Sequence, residues 1–256
     1  MREEKIHCKL QLFLIVGLLL SGTIDTLSVA QEGKTNTPKV QMDPQVETLL
    51  RKMDAYLGNL KSFEVEVQLH VQVRRGDIQQ DFREFGVFSV AKPNRIAFVT
   101  KKGLFSPTVV CDGVFTTIYS PPNHQYLNRP APQKLDELFT FGAEAGSSLR
   151  SVLPIAQALT AKKPYDVLVK GVKKGVYLGQ ETLRGTACHH LKLIQRDIDW
   201  EFWVADGAKP IIYKIRPDLT RMLAQSRRAT PKAEQEQVTQ SWELINWQEN
   251  VDIPAS

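Results

Sequence analysis

The segment Cys188-His189-His190 is the densest group of potential metal ligands in the sequence. Consecutive residues of a strand point to opposite faces of a sheet, so Cys188 and His190 would share one face and His189 the other. A tetrahedral zinc site needs further ligands from elsewhere in the chain. His70 and His124 are available, but no spacing places them nearby. We therefore expect no metal site, and instead a strand whose histidines are packed and hydrogen-bonded.

A second chemical possibility is the pair Asp197 and Asp199, two residues apart. Paired carboxylates can carry out general acid–base catalysis. Ile198 and Trp200 alternate with them, however, which is typical of a turn or of a strand with one polar face. The sequence contains no Gly-x-Ser-x-Gly turn, no His-Glu-x-x-His helix and no glycine loop that would hold a phosphate. These observations predict a protein that is not an enzyme and that needs no cofactor.

The first thirty residues have the three-part organisation of a secretory signal peptide. A basic start precedes an apolar stretch at residues 10–20, and Ser28-Val29-Ala30 forms a small-x-small cleavage site. The apolar stretch is shorter than the roughly 20 residues that a membrane-spanning helix needs. We expect residues 1–30 to be removed on export and residues 31–43 to form a flexible linker. An uncleaved N-terminal anchor is the alternative.

Composition and charge exclude several classes of protein. Apolar residues make up 42% of the 256 residues, which is close to the average of folded proteins and excludes general disorder. The net charge is +5 and basic residues form no run longer than a pair, so a nucleic-acid-binding surface is not expected. Cys111 and Cys188 remain after the signal peptide. In an exported protein they form either a disulfide or two buried free thiols.

The first part of the folded chain predicts one helix followed by strands. Asp43 fits the N-cap, Pro44 suits the first helical position, and apolar residues recur at three- and four-residue spacing through residues 44–60. Residues 63–74 alternate between apolar and polar side chains, which is typical of a strand with one buried face. Further strands are predicted at residues 82–91, 95–101, 108–111 and 114–119, with a short one near Tyr126.

The second half of the chain predicts two helices and a further group of strands. The helices are predicted at residues 135–141 and 147–161, and the strands at residues 165–169, 175–182, 187–194, 198–204, 211–216, 223–228 and 237–246. Grouped strands with segregated helices favour an α+β fold over a βαβ series. A sheet of this size must curl. For residues 44–256 we predict a single α+β domain: a large curved antiparallel sheet, or half-open β-barrel, of about 10–12 strands, with helices covering its concave face.

Three segments resemble the signature of a family of predicted periplasmic proteins of unknown function. They are Gly185-Thr186-Ala187-Cys188-His189-His190-Leu191, Asp199-Trp200-Glu201-Phe202-Trp203-Val204 and Gly207-Ala208-Lys209-Pro210. That family resembles the LolA/LolB-like superfamily of lipoprotein carriers, whose fold is an incomplete barrel with helices over an apolar cavity. The resemblance implies a periplasmic location and gives no catalytic residues. One departure is the Ile211-Ile212-Tyr213 run after Pro210, where the family usually has an apolar-Pro-x-Pro segment.

The predicted curvature and the resemblance together favour an exported carrier or sensor without catalytic activity. Its ligand would be an acyl chain or other apolar group of a lipid or lipoprotein, because burial in the concavity gains roughly 25 cal/mol for each Å² removed from water. The candidate ligand-binding residues are Leu50, Val65, Val67, Leu69, Val71, Phe98, Trp200 and Tyr213. The alternative is a structural or partner-binding envelope module whose cavity is filled by its own helices. A soluble hydrolase is a third possibility.

Overall fold

The computed structural model describes residues 40–103, 108–120, 124–135, 137–138, 153–196, 198–221, 224 and 236–253. The helices are α1 (Pro44–Asn59), α2 (Leu153–Thr160) and α3 (Pro164–Leu168). The strands are β1 (Gln41–Met42), β2 (Ser62–Arg75), β3 (Ile78–Ala91), β4 (Arg95–Lys102), β5 (Thr108–Cys111), β6 (Phe115–Ser120), β7 (Gln125–Pro130), β8 (Lys174–Leu183), β9 (Thr186–Ile194), β10 (Asp199–Ala205), β11 (Ile212–Asp218) and β12 (Glu236–Glu249).

These strands form one sheet, in the order β1-β8-β9-β10-β11-β12-β2-β3-β4-β5-β6-β7. Its edge strands, β1 and β7, are at opposite ends of this order, so the sheet is an open curved barrel and the predicted fold class is confirmed. One detail is corrected: β1 pairs with β8 in parallel, which makes the sheet mixed rather than wholly antiparallel.

The parallel pair also changes the end of the predicted linker. Gln41 and Met42 were expected in a flexible segment, but they form β1. The backbone N–H of Gln41 donates to the carbonyl of Lys173 at 3.0 Å, and that of Asp43 donates to the carbonyl of Gly175 at 3.1 Å. Met42 can approach β8 closely because Gly175 has no side chain: a Cβ there would collide with the Met42 sulfur.

Helix α1 covers one face of the sheet, which we call the inner face. It begins as the sequence predicts, since the side chain of Asp43 accepts a 2.8 Å hydrogen bond from the backbone N–H of Gln45 and thereby satisfies a free donor of the first turn. The apolar stripe of the helix is buried against the sheet, and its buried residues are Val46, Leu49, Leu50, Met53 and Leu57. This contact forms the centre of the hydrophobic core.

The alternating sequence of β2 determines which side chains reach the inner face. Phe63, Val65 and Val67 belong to the core beneath the helices, whereas Glu64 and Glu66 lie on the opposite, outer face. The alternation predicted for residues 63–74 is therefore confirmed over residues 63–67, whereas residues 68–72 are all half-buried. The strand itself extends one residue further at each end than predicted.

The predicted strand at residues 165–169 is wrong, because most of this segment forms helix α3. Pro164 begins the helix, and Asp54 of α1 accepts a 2.8 Å hydrogen bond from the backbone N–H of Tyr165, which a first helical turn leaves free. The predicted helix at residues 147–161 is confirmed over Leu153–Thr160. Its first part, and most of the elements predicted at residues 135–141 and 223–228, lie outside the described residues.

Cys111 and Cys188 are both buried and free, so the two-thiol alternative is the one observed. Cys111 lies in the core under the inner face, and Cys188 lies on β9. Over the described ranges, no helix combines the length and the apolar character that a membrane crossing requires.

Candidate functional site

The Cys188-His189-His190 segment of β9 alternates as predicted. His190 is opposite Trp203 of β10 on the outer face, and Cys188 shares that face. His189 is opposite Val204, which belongs to the core of the inner face. Among the residues that the structure describes, no three histidine, cysteine or carboxylate side chains are grouped in a way that could hold a metal ion.

The carboxylate of Asp199 is engaged in ion pairs on the outer face. It accepts from Arg221 and lies 3.5 Å from the ammonium of Lys192. The backbone N–H of Gln195 also donates to it at 3.3 Å. The second member of the sequence pair, Asp197, lies outside the described residues. Asp199 therefore serves to join the ends of β9 and β10 to the segment after β11.

A cluster of polar and aromatic side chains, the outer-face cluster, consists of Glu181, His190, Glu201, Trp203 and Arg216. The imidazole of His190 stacks on the indole of Trp203 with ring centres 4.0 Å apart. Its Nδ1 is 2.8 Å from Glu181 Oε1 and its Nε2 is 3.0 Å from Glu201 Oε2. Trp203 donates to the second oxygen of Glu181, and Arg216 donates to Glu201. These contacts tie together four strands, β8 to β11.

The outer-face cluster and its surroundings shift two pKa values. The hydrogen bond from Trp203, aided by the nearby His190, lowers the pKa of the Glu181 carboxyl. Burial, with a smaller contribution from the charge of Glu181, raises the pKa of the Cys188 thiol to about 11. A thiol with this pKa is protonated near neutral pH and is a poor nucleophile. The polar groups of the outer-face cluster bond to one another, so this part of the sequence signature stabilises the sheet.

Three of the residues predicted to bind a ligand lie at the centre of the core. Leu50 of α1 and Val65 of β2 have no exposed surface, and Val67 is 9% exposed. All three belong to the cluster of side chains where α1 meets the sheet. A ligand can touch them only if α1 moves away.

The other five predicted residues are more accessible. Leu69, Phe98 and Trp200 are partly buried and pack against the margin of the core. Val71 and Tyr213 are half-buried and lie outside this cluster of described side chains. Tyr213 departs from simple alternation because it lies beside a β-bulge, where Trp203 is opposite Lys214 but Val204 is opposite Ile212.

A pocket of about 310 Å³ lies where the first half of α1 passes over β8 and β9, and we call it the α1 groove. Its sheet side is formed by Tyr177 of β8 and His189 of β9. Its helix side is a stripe of residues on successive turns, namely Pro44, Gln45, Thr48, Leu49 and Lys52. Most of this stripe is exposed, whereas Leu49 is buried and forms an apolar wall.

A chain of hydrogen bonds fixes the two sheet residues of the α1 groove. The hydroxyl of Tyr177 is 2.9 Å from His189 Nδ1, and His189 Nε2 is 3.1 Å from Asp206 Oδ1. A carboxylate only accepts hydrogen bonds, so in the neutral imidazole Nε2 carries the hydrogen and Tyr177 donates to Nδ1. Asp206 thus orients His189, and His189 orients the Tyr177 hydroxyl.

Lys52 gives the helix side of the α1 groove a positive charge. Its side chain is exposed, and no carboxylate in the described part of the chain forms an ion pair with its ammonium. Its neighbour Arg51 differs, because Arg51 Nε donates to Glu47 Oε1 at 2.9 Å. On the sheet side, the carboxylate of Asp206 is already bonded to His189. The groove therefore combines an apolar wall with an ammonium that can bind an anionic group.

Tyr177, His189 and Lys52 are absent from the ligand-binding residues predicted from the sequence. A signal for His189 exists, since strand alternation separates it from Cys188 and His190 and puts it on the opposite face. No sequence signal connects it with Lys52, because the two residues are far apart in the chain. Only the position of α1 on the sheet brings them to one pocket.

The family model described as "Predicted periplasmic protein (DUF2092)" matches residues 46–255. No curated protein matches the chain at a significant level. Among solved structures, the chain is similar to the lipoprotein LppX from Mycobacterium tuberculosis, with 11% identity, a TM-score of 0.42, and coverage of 83% of this chain and 100% of the other.

Two further solved structures have comparable similarity. LprF from Mycobacterium bovis is 10% identical with a TM-score of 0.41, and the match covers 83% of this chain and 97% of the other. A LolA superfamily protein from Nitrosomonas europaea is 11% identical with a TM-score of 0.30, and the match covers 81% of this chain and 94% of the other.

Proposed function

The chain belongs to the DUF2092 family of predicted periplasmic proteins, and from this premise we propose that it is an exported carrier or sensor that binds an acyl chain or other apolar ligand under α1. Export by a cleaved signal peptide, a periplasmic location and the absence of a catalytic step are parts of this proposal. The observation that carries it is the α1 groove, a pocket between the covering helix and the inner face of the sheet.

The size and position of the α1 groove support binding of one small apolar chain. Its volume of about 310 Å³ is at the lower end of the range for small-molecule sites, roughly 300–1,000 Å³. Leu49 and the ring of Tyr177 provide apolar surface there, and each methylene group buried against such surface gains about 0.8 kcal/mol. A chain of medium length therefore fits the groove without disturbance of the core.

A longer ligand would have to reach the inner face at the cost of contacts made by α1. Leu50 and Val65 are completely buried between helix and sheet, so this route requires part of α1 to lift. Leu69, Phe98 and Trp200, at the margin of the core, would then be the next residues that the chain contacts. Affinity for long chains depends on the balance between ligand burial and loss of the helix–sheet contact.

The test is direct binding to protein purified from cells that express the full chain. A neutral fluorescent probe, N-phenyl-1-naphthylamine, is titrated into folded protein, and organic extracts of the same protein are analysed by mass spectrometry. We expect saturable fluorescence enhancement that decan-1-ol reverses, and a co-purified lipid. A folded sample that neither carries a lipid nor enhances the probe contradicts the proposal.

A second function is favoured by one observation, the tight packing of Leu50, Val65 and Val67 at the helix–sheet contact. This packing fits a partner-binding envelope module whose cavity its own helices fill. The same titration separates the two functions, because a filled cavity leaves the probe unbound while the fold remains intact.

A further inference from the structure

Some charged groups around the α1 groove have a partner of opposite charge or a hydrogen-bond partner, and others do not. On its helix side, the ammonium of Lys52 is exposed and pairs with no carboxylate in the described ranges, whereas Arg51 is held by Glu47. On its sheet side, Asp206 is engaged by His189 Nε2 at 3.1 Å. An anionic group that enters the groove would thus meet an available cation. The carboxylates around the groove are already bonded, Asp206 to an imidazole, Asp43 to the backbone N–H of Gln45 and Glu47 to Arg51.

The hydroxyl of Tyr177 is a second donor at the same place. It donates to His189 Nδ1 when the imidazole is neutral. The hydroxyl rotates about its C–O bond, so a ligand oxygen in the groove can receive this hydrogen in place of Nδ1. The phenol is therefore able to donate to a ligand oxygen in exchange for its bond to His189.

The groove extends along the first half of α1. Pro44, Thr48 and Lys52 are one turn apart, and the distance from Pro44 to Lys52 is about 12 Å at the rise of an α-helix. Leu49 lies between them as the buried wall. This arrangement matches a ligand that has a charged or polar end beside Lys52 and an extended apolar part along Leu49.

We infer that the α1 groove selects single-chain amphiphiles with an anionic head, which Lys52 and the Tyr177 hydroxyl bind while the chain lies against Leu49. This inference rests on the proposed function and makes it more specific. The head is a carboxylate or a phosphate, since both present oxygen acceptors to an ammonium and a phenol.

The experiment compares four ligands with the same ten-carbon chain, each below its micelle concentration or, for the alcohol, its solubility limit. Decanoate, decyl phosphate, decan-1-ol and decyltrimethylammonium are each titrated against N-phenyl-1-naphthylamine bound to the folded protein, and the displacement of the probe is measured. We expect at least one anionic ligand to bind about fivefold more tightly than the alcohol, the scale of a partly exposed ion pair, and the cation to bind most weakly. The stronger of the two anions identifies the head group.

Single substitutions test which residues give the preference for an anionic head. Lys52→Gln should remove the difference between the anion and the alcohol, Lys52→Arg should retain it, and Tyr177→Phe should reduce it. Lys61→Gln is the matched control, because Lys61 is exposed just beyond the end of α1. Lys52→Gln should leave the melting temperature unchanged, since the side chain is exposed.

The outcomes separate this inference from the proposed function. If decan-1-ol binds as tightly as both anions, or if Lys52→Gln keeps the preference, the inference is wrong while the carrier function stands. If none of the four ligands displaces the probe because the folded protein does not bind it, both fail.

Discussion

The two flanks of α1 differ in how they are held. Towards α3, the hydroxyl of Tyr165 donates to Glu47 at 2.6 Å, and the guanidinium of Arg51 lies 3.5 Å above the Tyr165 ring centre. The backbone N–H of Tyr165 also donates to Asp54. Towards β8 and β9, the hydrogen bonds of Tyr177 and His189 stay within the sheet side and leave the α1 groove beside the helix.

This difference indicates which side of α1 can open. The α3 flank carries the hydrogen bond from Tyr165 to Glu47, the guanidinium of Arg51 stacked on the Tyr165 ring, and the cap that Asp54 gives the first turn of α3. Gly58 also lies so close to Lys162 that a Cβ there would be 2.9 Å from the Lys162 carbonyl oxygen. On the groove flank, the backbone N–H of Asp43 holds the start of α1 to the carbonyl of Gly175 in β8, but among the described residues no side chain of α1 forms a hydrogen bond or an ion pair with β8 or β9. A movement that admits a ligand would therefore begin at the groove and turn about the α3 flank, and four experiments test this comparison.

The largest effect is expected from the core between the two flanks. Leu50→Ala removes a side chain with no exposed surface, so the free energy of unfolding should fall by about 2–5 kcal/mol through lost burial and a cavity. Urea denaturation followed by circular dichroism measures it. Thr48→Ala, on the exposed part of the groove, should change the stability by less than about 0.5 kcal/mol. Similar losses for both variants would mean that the groove flank is packed as tightly as the core.

The contrast between these two residues also shows how much the sequence reveals. The three- and four-residue spacing that includes Leu50 predicts a buried helix face, and the alternation through Val65 predicts the strand beneath it. The fold class follows from such patterns because each is a local periodicity. The role of Tyr165 does not follow, since a short segment of mixed Tyr, Val and Leu fits a strand as well as a helix. Its helical state depends on Pro164 and on a hydrogen bond to a distant part of the chain, Asp54.

The candidate site was less predictable than the fold for a related reason. Alternation correctly separates His189 from His190, but it does not say which face a helix covers or where that helix leaves space. The predicted residues Leu50 of α1 and Val65 of β2 are apolar, and for this reason both are buried in the contact between the helix and the sheet. The groove forms at the edge of the contact, where polar residues such as Lys52 meet the sheet.

The second-largest effect is expected on ligand affinity at the groove flank. Thr48→Trp places a large ring on an exposed position that lines the α1 groove, so the affinity for N-phenyl-1-naphthylamine should fall at least about tenfold, or 1.4 kcal/mol. The melting temperature should stay within about 2 °C, because the side chain starts outside the core. Thr48→Ala should bind the probe as the natural protein does. Unchanged binding by Thr48→Trp would place the ligand elsewhere.

A matched pair of substitutions compares the two flanks directly. Tyr165→Phe removes the hydroxyl that donates to Glu47, and its stability should fall by about 1 kcal/mol. Tyr177→Phe removes a hydroxyl beside the groove, where water can replace it, so the loss should be roughly half as large. The affinity for N-phenyl-1-naphthylamine should change more in Tyr177→Phe than in Tyr165→Phe. Equal stability losses would show that the groove flank is as firmly held as the α3 flank.

The smallest effect is a pH dependence of the closed flank. Burial, and then the hydrogen bond to Glu47, raise the pKa of the Tyr165 phenol above its ordinary value. Above pH 10 the unfolded chain loses this proton first, so the folded state binds more protons and its stability falls as the pH rises through the folded-state pKa. The stability of the natural protein should therefore decline more between pH 9 and pH 11 than that of Tyr165→Phe, as urea midpoints can measure. Parallel declines would indicate that the Tyr165 hydroxyl is not held by Glu47, and that the two flanks of α1 are alike.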